Sequence, residues 1–485
     1  MKLTSVYIRA MILLPITIVI TGCASAPPIG LKESELPNSW SESATTQVGE
    51  WPDSDWWRNF ASPELNTLIS EARTTNLDLA AATARVLQAD AAAKIAGAAL
   101  LPSVGLGAGA QVQGATDNGS TISSRAFGIT GLASYELDFW GLARSNLRAA
   151  TATLYSVRYA RETVALTVTA NVGATYLDVL AARQRIVIAQ QNLETARHLL
   201  TAIERMVEAG LASPLDLAQQ KTLIAGQEAE LPTLQQRERE SRYALALLLG
   251  RAPEAFSVAA ESLDGISVPS IVPGMPAELL YRRPDIAQAE AELIAAHANV
   301  DAARAAYFPS IVLTASGGLA SGATSAVAAG PAVGEIIAEA GSTGLIYGLG
   351  ASLLQTIFDG GRIEGQRDLA LAQEQELIAT YRSAVFSAFS DVESALSRAA
   401  SLEEQERFKT RQVKSAAAAF DISEKQYRQG LVGLLALLQT QQTFFEAQDQ
   451  LTEIKRARIQ ALVDLYKALG GGWSATQPMS VVERE

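Results

Sequence analysis

Leu101-Pro102-Ser103-Val104-Gly105-Leu106-Gly107-Ala108-Gly109-Ala110-Gln111-Val112-Gln113 is where this chain changes its period. Before it, Asp78 to Leu101 is dominated by Ala, Leu, Val, Arg and Gln, the composition of a helix, and Pro102 ends that helix. After it, Val104, Leu106, Ala108, Ala110 and Val112 alternate with Gly105, Gly107, Gly109, Gln111 and Gln113. That is a strand with one apolar face and one polar or empty face. A polar turn at Thr116 to Ser120 leads to a second strand, where Phe127, Ile129, Ala133, Tyr135 and Leu137 oppose Gly128, Thr130, Ser134 and Glu136.

The same pattern returns. Phe308-Pro309-Ser310 stands 207 residues after Leu101-Pro102-Ser103, and Arg283-Pro284-Asp285 stands 207 after Asn76-Leu77-Asp78. Ile311, Leu313 and Ala315 then alternate with Thr314, Ser316 and Gly318, and Tyr347, Leu349, Ala351 and Leu353 with Gly348, Gly350 and Ser352. Beyond the hairpins, Phe139-Trp140-Gly141 answers Phe358-Asp359-Gly360, Gly210-Leu211 answers Gly430-Leu431, and Leu249-Gly250 answers Leu469-Gly470, now at spacings of 219 to 220. The extra dozen residues fall in one loop of the second copy. Turn residues fix geometry while surfaces are free to drift, so a duplication that keeps its turns reads as a shape built by pseudo-symmetry. The implied organisation is a signal peptide at 1–22, a linker at 23–61, a first repeat at 62–250 with its hairpin near 103–137, a connecting segment at 251–276, a second repeat at 277–470 with its hairpin near 310–354, and a tail at 471–485.

Gly141 to Gly210 and Gly361 to Gly430 are each 70 residues without proline, about 105 Å if helical throughout. The returning stretches, Pro214 to Leu249 and Leu434 to Leu469, have 36 residues each. The 24-residue helices Asp78 to Leu101 and Asp285 to Phe308 supply the missing length by stacking end to end on them. Ala252 to Pro276 would then sit around the middle. The strands are expected at the 9 to 11 residues a tilted strand needs to cross a bilayer. Two soluble hairpins alternate in the same way, but these interrupt long helices. Four strands cannot close a membrane barrel with room inside, whereas three chains give twelve. The expected fold is mixed α and β: a trimeric β-barrel with four strands per chain, continued by a long α-helical barrel.

The N-terminus reads as an export signal, with Lys2 and Arg9 before the apolar run Met11 to Ile20. Cys23 is the only cysteine, and Ile20-Thr21-Gly22-Cys23 resembles a lipobox. That resemblance implies removal of residues 1 to 22 and lipidation of Cys23, and Ala24 after it implies the outer membrane. Loss of Lys2 and Arg9 takes the formal charge from −12 to −14. So acidic a chain lacks the basic patches that nucleic acid requires. No other run of about 20 uninterrupted apolar residues offers a transmembrane helix, so a crossing would have to be a barrel. With 48% apolar but only 6% aromatic residues, the composition suits closely packed helices. Residues 24 to 60 are Pro, Ser and Glu-rich and carry Trp51, Trp56 and Trp57, which would dock the linker on the body.

Taken together, Trp56-Trp57, Arg282-Arg283-Pro284-Asp285, Leu-Pro-Ser and Phe-Pro-Ser before the hairpins, Phe-Asp-Gly-Gly-Arg at 358 to 362 and Leu469-Gly470-Gly471 resemble the TolC-like outer-membrane factors, most closely the OprM/NodT-type efflux lipoproteins. The resemblance covers essentially the whole mature chain. It implies a trimeric channel in outer-membrane lipid, serving as the passive exit duct for drugs and other toxic small molecules. An inner-membrane pump of the RND type would deliver them through a periplasmic adaptor protein. A type I protein-secretion duct keeps the same fold, and a periplasmic coiled-coil scaffold lipoprotein is the alternative without a channel.

Nothing in the sequence points to catalysis, a cofactor or a metal. His198 and His297 have no partner at metal-ligand spacing, and no phosphate loop or nucleophile elbow occurs. Charge runs such as Arg237-Glu238-Arg239-Glu240 and Glu403-Glu404-Gln405-Glu406-Arg407 read as solvated helix faces. The candidate residues lie at two helical turns: Gly210, Leu211, Ala212 and Ser213 in the first, Gly430, Leu431, Val432 and Gly433 in the second. Leu211, Leu431 and Val432 are apolar at a tip, which suits a partner surface. The family resemblance implies that these turns meet the adaptor, and that Tyr427 and Asp216 fall on a tyrosine and an aspartate whose hydrogen bond closes the periplasmic end. Ala436, Gln439 and Val432 depart from the family's acidic and basic positions there.

Overall fold

The computed structural model describes residues 37–41, 51–117, 120–271, 273–322 and 343–474. The signal peptide, Cys23, much of the linker, the long loop of the second hairpin and the end of the tail lie outside the described residues. The chain divides into two units, Met1–Pro37 and Asn38–Glu485, and every described helix and strand belongs to the second.

Helix α1 (Pro63–Thr75) starts where proline follows a serine cap: the Ser62 hydroxyl accepts the Leu65 N–H at 3.2 Å. Asn76 caps α2 (Leu77–Ala98) in the same way, accepting the Leu79 N–H at 2.9 Å. This helix stops three residues short of the expected Leu101. Pro102 disfavours helical geometry in the residue before it, and Leu100 and Leu101 close tight turns onto Gly97 and Ala98 instead. Then come β1 (Ser103–Asp117), β2 (Ser120–Glu136), α3 (Leu142–Glu208) and α4 (Pro214–Leu248). After short 3-10 turns at 253–255, 263–265 and 276–281, the second half runs α5 (Pro284–Ala305), β3 (Ser310–Gly322), β4 (Thr343–Leu354), α6 (Arg362–Arg428) and α7 (Leu434–Ala468).

Corresponding helices of the two halves have equal lengths: 22 residues for α2 and α5, 67 for α3 and α6, 35 for α4 and α7. At 1.5 Å per residue α3 and α6 are each about 100 Å long. Both follow a left-handed glycine, Gly141 (φ 81°) and Gly361 (φ 88°). The helix starts therefore correspond at a spacing of 220, and Gly361, not Gly360, is the counterpart of Gly141. The joints stack as the lengths require. Asn76 Nδ2 and the Thr75 hydroxyl donate to the carbonyls of Leu248 and Leu249, both at 2.8 Å, seating the end of α4 on the start of α2. In the second half Arg283 Nη1 donates to the Ala468 carbonyl at 3.3 Å, seating α7 on α5.

The four strands form one antiparallel sheet in the order β1-β2-β3-β4, leaving β1 and β4 as edges. They run 12 to 17 residues, longer than a crossing requires. Opposed residues share a face, so the register gathers Val104, Leu106, Phe127, Ile129, Leu319, Leu345, Tyr347 and Leu349 on one side. All eight are exposed in the chain.

At mid-height Trp56 and Trp57 are buried, while Trp51 is only half-buried. Trp56 is 1% exposed, stacked on Tyr466 at 4.7 Å and edge-on to Trp57 and Phe60. Around them pack Ile69 of α1, Val172, Tyr176 and Leu180 of α3, Leu245 of α4, Val463 of α7, and Phe256, Val258 and Leu263 of the connecting segment. That segment is fastened by Arg183, whose Nη1 donates to the Val258 and Ala260 carbonyls at 2.7 and 2.8 Å, and by Glu64, which accepts the Ala259 and Ala260 N–H groups. One stretch of α3 is by composition long and apolar enough to cross a membrane, contrary to the expectation that none exists. Its packing in this core shows what the apolar residues serve.

Candidate functional site

The two turns at the far end of the helices share one backbone design. Gly210 (φ 72°) and Gly430 (φ 74°) take the left-handed conformation that ends a helix. Gly210 and Gly430 donate to the Val207 and Tyr427 carbonyls at 3.0 and 2.9 Å, and Leu211 and Leu431 to those of Met206 and Gln426 at 2.7 and 2.9 Å. The turns differ in the cap that follows. Ser213 opens α4 with a full capping box: its hydroxyl accepts the Asp216 N–H at 3.2 Å, and the Asp216 carboxylate accepts the Ser213 N–H at 2.9 Å. Gly433 has no side chain to cap α7.

Leu211 and Leu431 are 74% and 68% exposed, as an apolar tip requires. Val432 is not part of that surface. It is half-buried and packs inward, against a cluster of Leu199, Ile203, Phe420, Tyr427, Leu434 and Leu437. Its place at the tip is taken by Leu215 and Leu435, 64% and 70% exposed, in the first turn of α4 and α7. Each is the second residue of its helix, and Leu435 directly follows Leu434, which enters the core. Gly210, Ser213, Gly430 and Gly433 are exposed and Ala212 is half-buried.

Tyr427 and Asp216 stand at the same end, but no hydrogen bond joins them within the chain. The aspartate is engaged in its own capping box, and the Tyr427 hydroxyl is buried without a partner. Burial first, and the Asp216 charge second, push the Tyr427 phenol above its ordinary value, so it is a neutral donor at pH 7. Further buried and unpaired atoms lie nearby in sequence on α7: both amide atoms of Gln441, and Oε1 of Gln448. Gln220 on α4 satisfies only its Nε2, on the Ala196 carbonyl at 2.8 Å.

Above the tip, an open groove of about 770 Å³ runs between α3, α4 and α7, lined among others by Asn192, Gln227, Glu230, Gln439 and Glu446. Its upper end is closed by Arg185, which grips Asp449 through two bonds of 2.6 and 3.0 Å. Arg456 reaches back from α7 to Asp178 at 3.0 Å, and burial holds that carboxyl above its usual range in spite of the arginine. The charge runs are thus only partly solvated. Glu238 is bound by Arg183 across α3 and α4, and Glu403 and Glu406 by Arg458 across α6 and α7. His297 likewise meets a carboxylate, Glu374 of α6, at 2.7 Å, while His198 is exposed beside Glu194. Among the described residues no three His, Cys, Asp or Glu gather as metal ligands.

Comparison with known proteins fits this geometry. The outer membrane efflux protein family matches residues 68–251 and 275–471. The pyoverdine export outer membrane protein OpmQ of Pseudomonas aeruginosa is 40% identical over 464 residues, covering 93% of this chain and 94% of that protein. The cation efflux system protein CusC of Escherichia coli O6:H1 is 29% identical over 465 residues, covering 94% and 97%. Among solved structures, the outer-membrane channel OprN superposes with a TM-score of 0.82 at 26% identity, over 92% of this chain and 99% of that one. The open-state MtrE outer membrane channel of Neisseria gonorrhoeae superposes with a TM-score of 0.77 at 28% identity, over 93% and 98%. From the matched halves, the whole-length relatives and the superposed channels, the chain belongs to the outer membrane efflux protein family.

Proposed function

We propose that the protein is the outer-membrane exit channel of a tripartite efflux system, a homotrimer that passively conducts small molecules. An inner-membrane pump of the RND type supplies them through a periplasmic adaptor. The observation that carries this reading is the sheet: four strands with an exposed apolar face and two unpaired edges, set on helices about 100 Å long. Three such sheets joined edge to edge make twelve strands whose apolar side meets lipid. The two halves are copies of one unit, at 62–250 and 277–470, joined by 251–276. The export signal is residues 1–22 and the lipid anchor is Cys23, detectable as an acyl mass on the mature N-terminus.

Small-molecule export is favoured over protein secretion by the relatives, which include pyoverdine, toluene and cation efflux proteins. The tip leucines 211, 215, 431 and 435 form the adaptor's landing surface, with Gly210, Ala212, Ser213, Gly430 and Gly433 setting its shape. Tyr427 and Asp216 belong to the gate. Since Asp216 also caps α4, Asp216→Asn, which keeps an acceptor for the Ser213 N–H, is the informative substitution. Crosslinking of membrane-extracted protein should give a three-chain species. In planar bilayers, Tyr427→Phe with Asp216→Asn should conduct more than wild type. Extraction as a single chain without channel activity would overturn the channel, and unchanged conductance in an intact trimer would move the gate to other side chains.

A further inference from the structure

We propose that α2 of one copy packs along the first half of α6 of a second copy as α5 packs on α3 within the chain, with Arg85 paired to Glu376 and Lys94 to Asp368 across the joint, a seam that rests on the trimeric reading. Helices α2 and α5 have the same length and correspond at a spacing of 207, α3 and α6 at 220. Within each half the short helix lies on the long one, α2 on α3 and α5 on α6. Helix α5 also lies on α3 of the other half, whereas among the described residues no second long helix packs closely on α2. The consequence is a large asymmetry in burial: twelve residues of α5 are buried, but only Leu79 and Ala82 of α2.

The uncovered faces are complementary by the same numbering. On α3, Ser145, Ala149, Ala152 and Ser156 are buried. Their counterparts on α6, Gly365, Leu369, Ala372 and Glu376, are all exposed. On α2, Ala80, Ala84, Leu87, Ala91 and Ile95 form an exposed apolar stripe at helical spacing. Two side-chain bonds fix how α5 sits on α3: Arg148 to Asp301 at 3.2 Å, and Ser156 to Glu292 at 3.0 Å. Moved by 220 on the long helix and back by 207 on the short one, the first becomes Asp368 with Lys94 and the second Glu376 with Arg85. Both are opposite charges, and the first pair has swapped its signs. Arg85 and Glu376 have no ion-pair partner among the described residues. Lys94 is held by Asp90 of its own helix at 2.6 Å, and Asp368 by the adjacent Arg367 at 2.7 Å.

Two independent checks support this correspondence. Arg161 on α3 donates to Thr83 on α2 at 3.3 Å, and their counterparts, Tyr381 on α6 and Glu290 on α5, are also neighbours: after burial, the Glu290 charge is what pushes the Tyr381 phenol up. The sheet obeys the same operation. The β2–β3 register, carried to β4 and a second copy's β1, sets Leu349 opposite Val112, Ala351 opposite Ala110 and Leu353 opposite Ala108. Every one of these residues already lies on the apolar side, so the seam keeps that side continuous.

Charge reversal tests the seam. Arg85→Glu and Glu376→Arg, each alone, should lower the temperature at which the detergent-extracted trimer separates, and the double reversal should restore it. In a Cys23→Ala background, Arg85→Cys with Glu376→Cys should give a covalent three-chain product with a short bismaleimide, while either cysteine alone should not. Two single reversals that leave the trimer as stable as wild type, or a double reversal no better than the singles, would overturn the pairing while the trimer stands. A crosslinked product that contains a different protein would overturn the second copy as the occupant of α2. A wild-type protein that never forms a trimer would remove the seam together with the channel reading. Both positions are exposed, and an unchanged helical circular dichroism spectrum excludes misfolding as the cause of any loss.

Discussion

The middle of the helical body and its tip are made from the same four long helices, and they differ in what they leave unpaired. At the middle, Trp56, Tyr176 and Phe60 are closed in on every side. Their polar neighbours are satisfied: the Tyr176 hydroxyl meets Ser62 and Glu64, both at 3.2 Å, and Asn59 donates to the Tyr466 hydroxyl at 3.0 Å. At the tip the apolar cluster is small, and the Tyr427 hydroxyl and the Gln441 amide are buried without partners. An unmade buried hydrogen bond costs about 1–3 kcal/mol. The middle leaves Asn66 Oδ1 unpaired beside a large core, whereas the tip leaves the Tyr427 hydroxyl and both Gln441 amide atoms unpaired around a much smaller apolar cluster, so the cost weighs more at the tip. The middle is the part built to stay, and the tip the part built to yield.

The sharpest break of this contrast is Trp56→Ala. It removes the ring stacked on Tyr466 and opens a void bounded by three helices and the connecting segment, so the loss should be about 3–5 kcal/mol. Calorimetry of the extracted protein should show a large fall in the unfolding midpoint, whereas Leu211→Ala at the tip should leave it unmoved.

Next in size is a pH effect confined to the middle. Burial, offset in part by the Ser62 hydrogen bond, raises the Tyr176 phenol to about 12. A folded-state value above the unfolded value of 10 means that the contribution is fully present below pH 10 and is lost between pH 10 and 12. The amount is on the order of 2–3 kcal/mol for a shift of this size. Tyr176→Phe should flatten that part of the pH–stability curve, and an unchanged slope would assign the loss to other groups.

The third contrast uses the same backbone conformation in both places. Gly470 (φ 84°) and Gly430 (φ 74°) both end a long helical run. A Cβ on Gly470 would collide with the Arg282 carbonyl oxygen, while one on Gly430 meets nothing within 4 Å. Gly430→Ala therefore carries only the left-handed penalty of about 1 kcal/mol. Gly470→Ala adds a backbone collision that prises α7 from the turn before α5, and should cost roughly 2 kcal/mol or more. Equal losses in urea unfolding would mean that the joint relaxes freely.

Much of this was legible in the sequence because punctuation carries long helices. Gly141 and Gly210, Gly361 and Gly430, and the absence of proline between them give the 67-residue helices almost to the residue, and the alternation after Pro102 gives the strands and their faces. What was not legible depends on which helix lies beside which. Glu238 and Glu406 sit in charge runs that look solvated, since the spacing that places a carboxylate in water also places it opposite Arg183 or Arg458. Helix α4 passes through Pro232, where propensity alone would end it, because packing on α3 holds the helix on both sides. Val432 and Leu435 show the same limit at the candidate site: both are apolar residues near a glycine, and only the turn's rotation decides that one enters the core.

At the tip itself, Gln441→Leu should act against the usual direction. The residue is fully buried with both amide atoms unpaired, so an apolar side chain of similar size removes a desolvation cost, and the tip should gain about 1 kcal/mol. Hydrogen exchange should slow at the end of α6 and the start of α7 and not at the middle. Gln220→Leu, which gives up the bond to the Ala196 carbonyl, should gain less. No slowing in Gln441→Leu would mean that its amide finds partners in the assembled channel.

The smallest stability change is expected from Tyr427→Phe. It deletes a hydroxyl that has no partner within the chain and keeps the ring against Leu434 and Leu437, so stability should stay within about 0.5 kcal/mol of wild type. This makes it a clean probe, because a change in conductance then cannot be ascribed to loosening of the cluster. If the hydroxyl is paired only in the assembled, closed channel, conductance rises while the unfolding midpoint stays put, and Asp216→Asn on the same background adds little, since its partner is already gone. A loss of more than about 1 kcal/mol would instead show that the hydroxyl is paired in the resting protein, and the Gln441 amide alone would then mark the tip as under-satisfied.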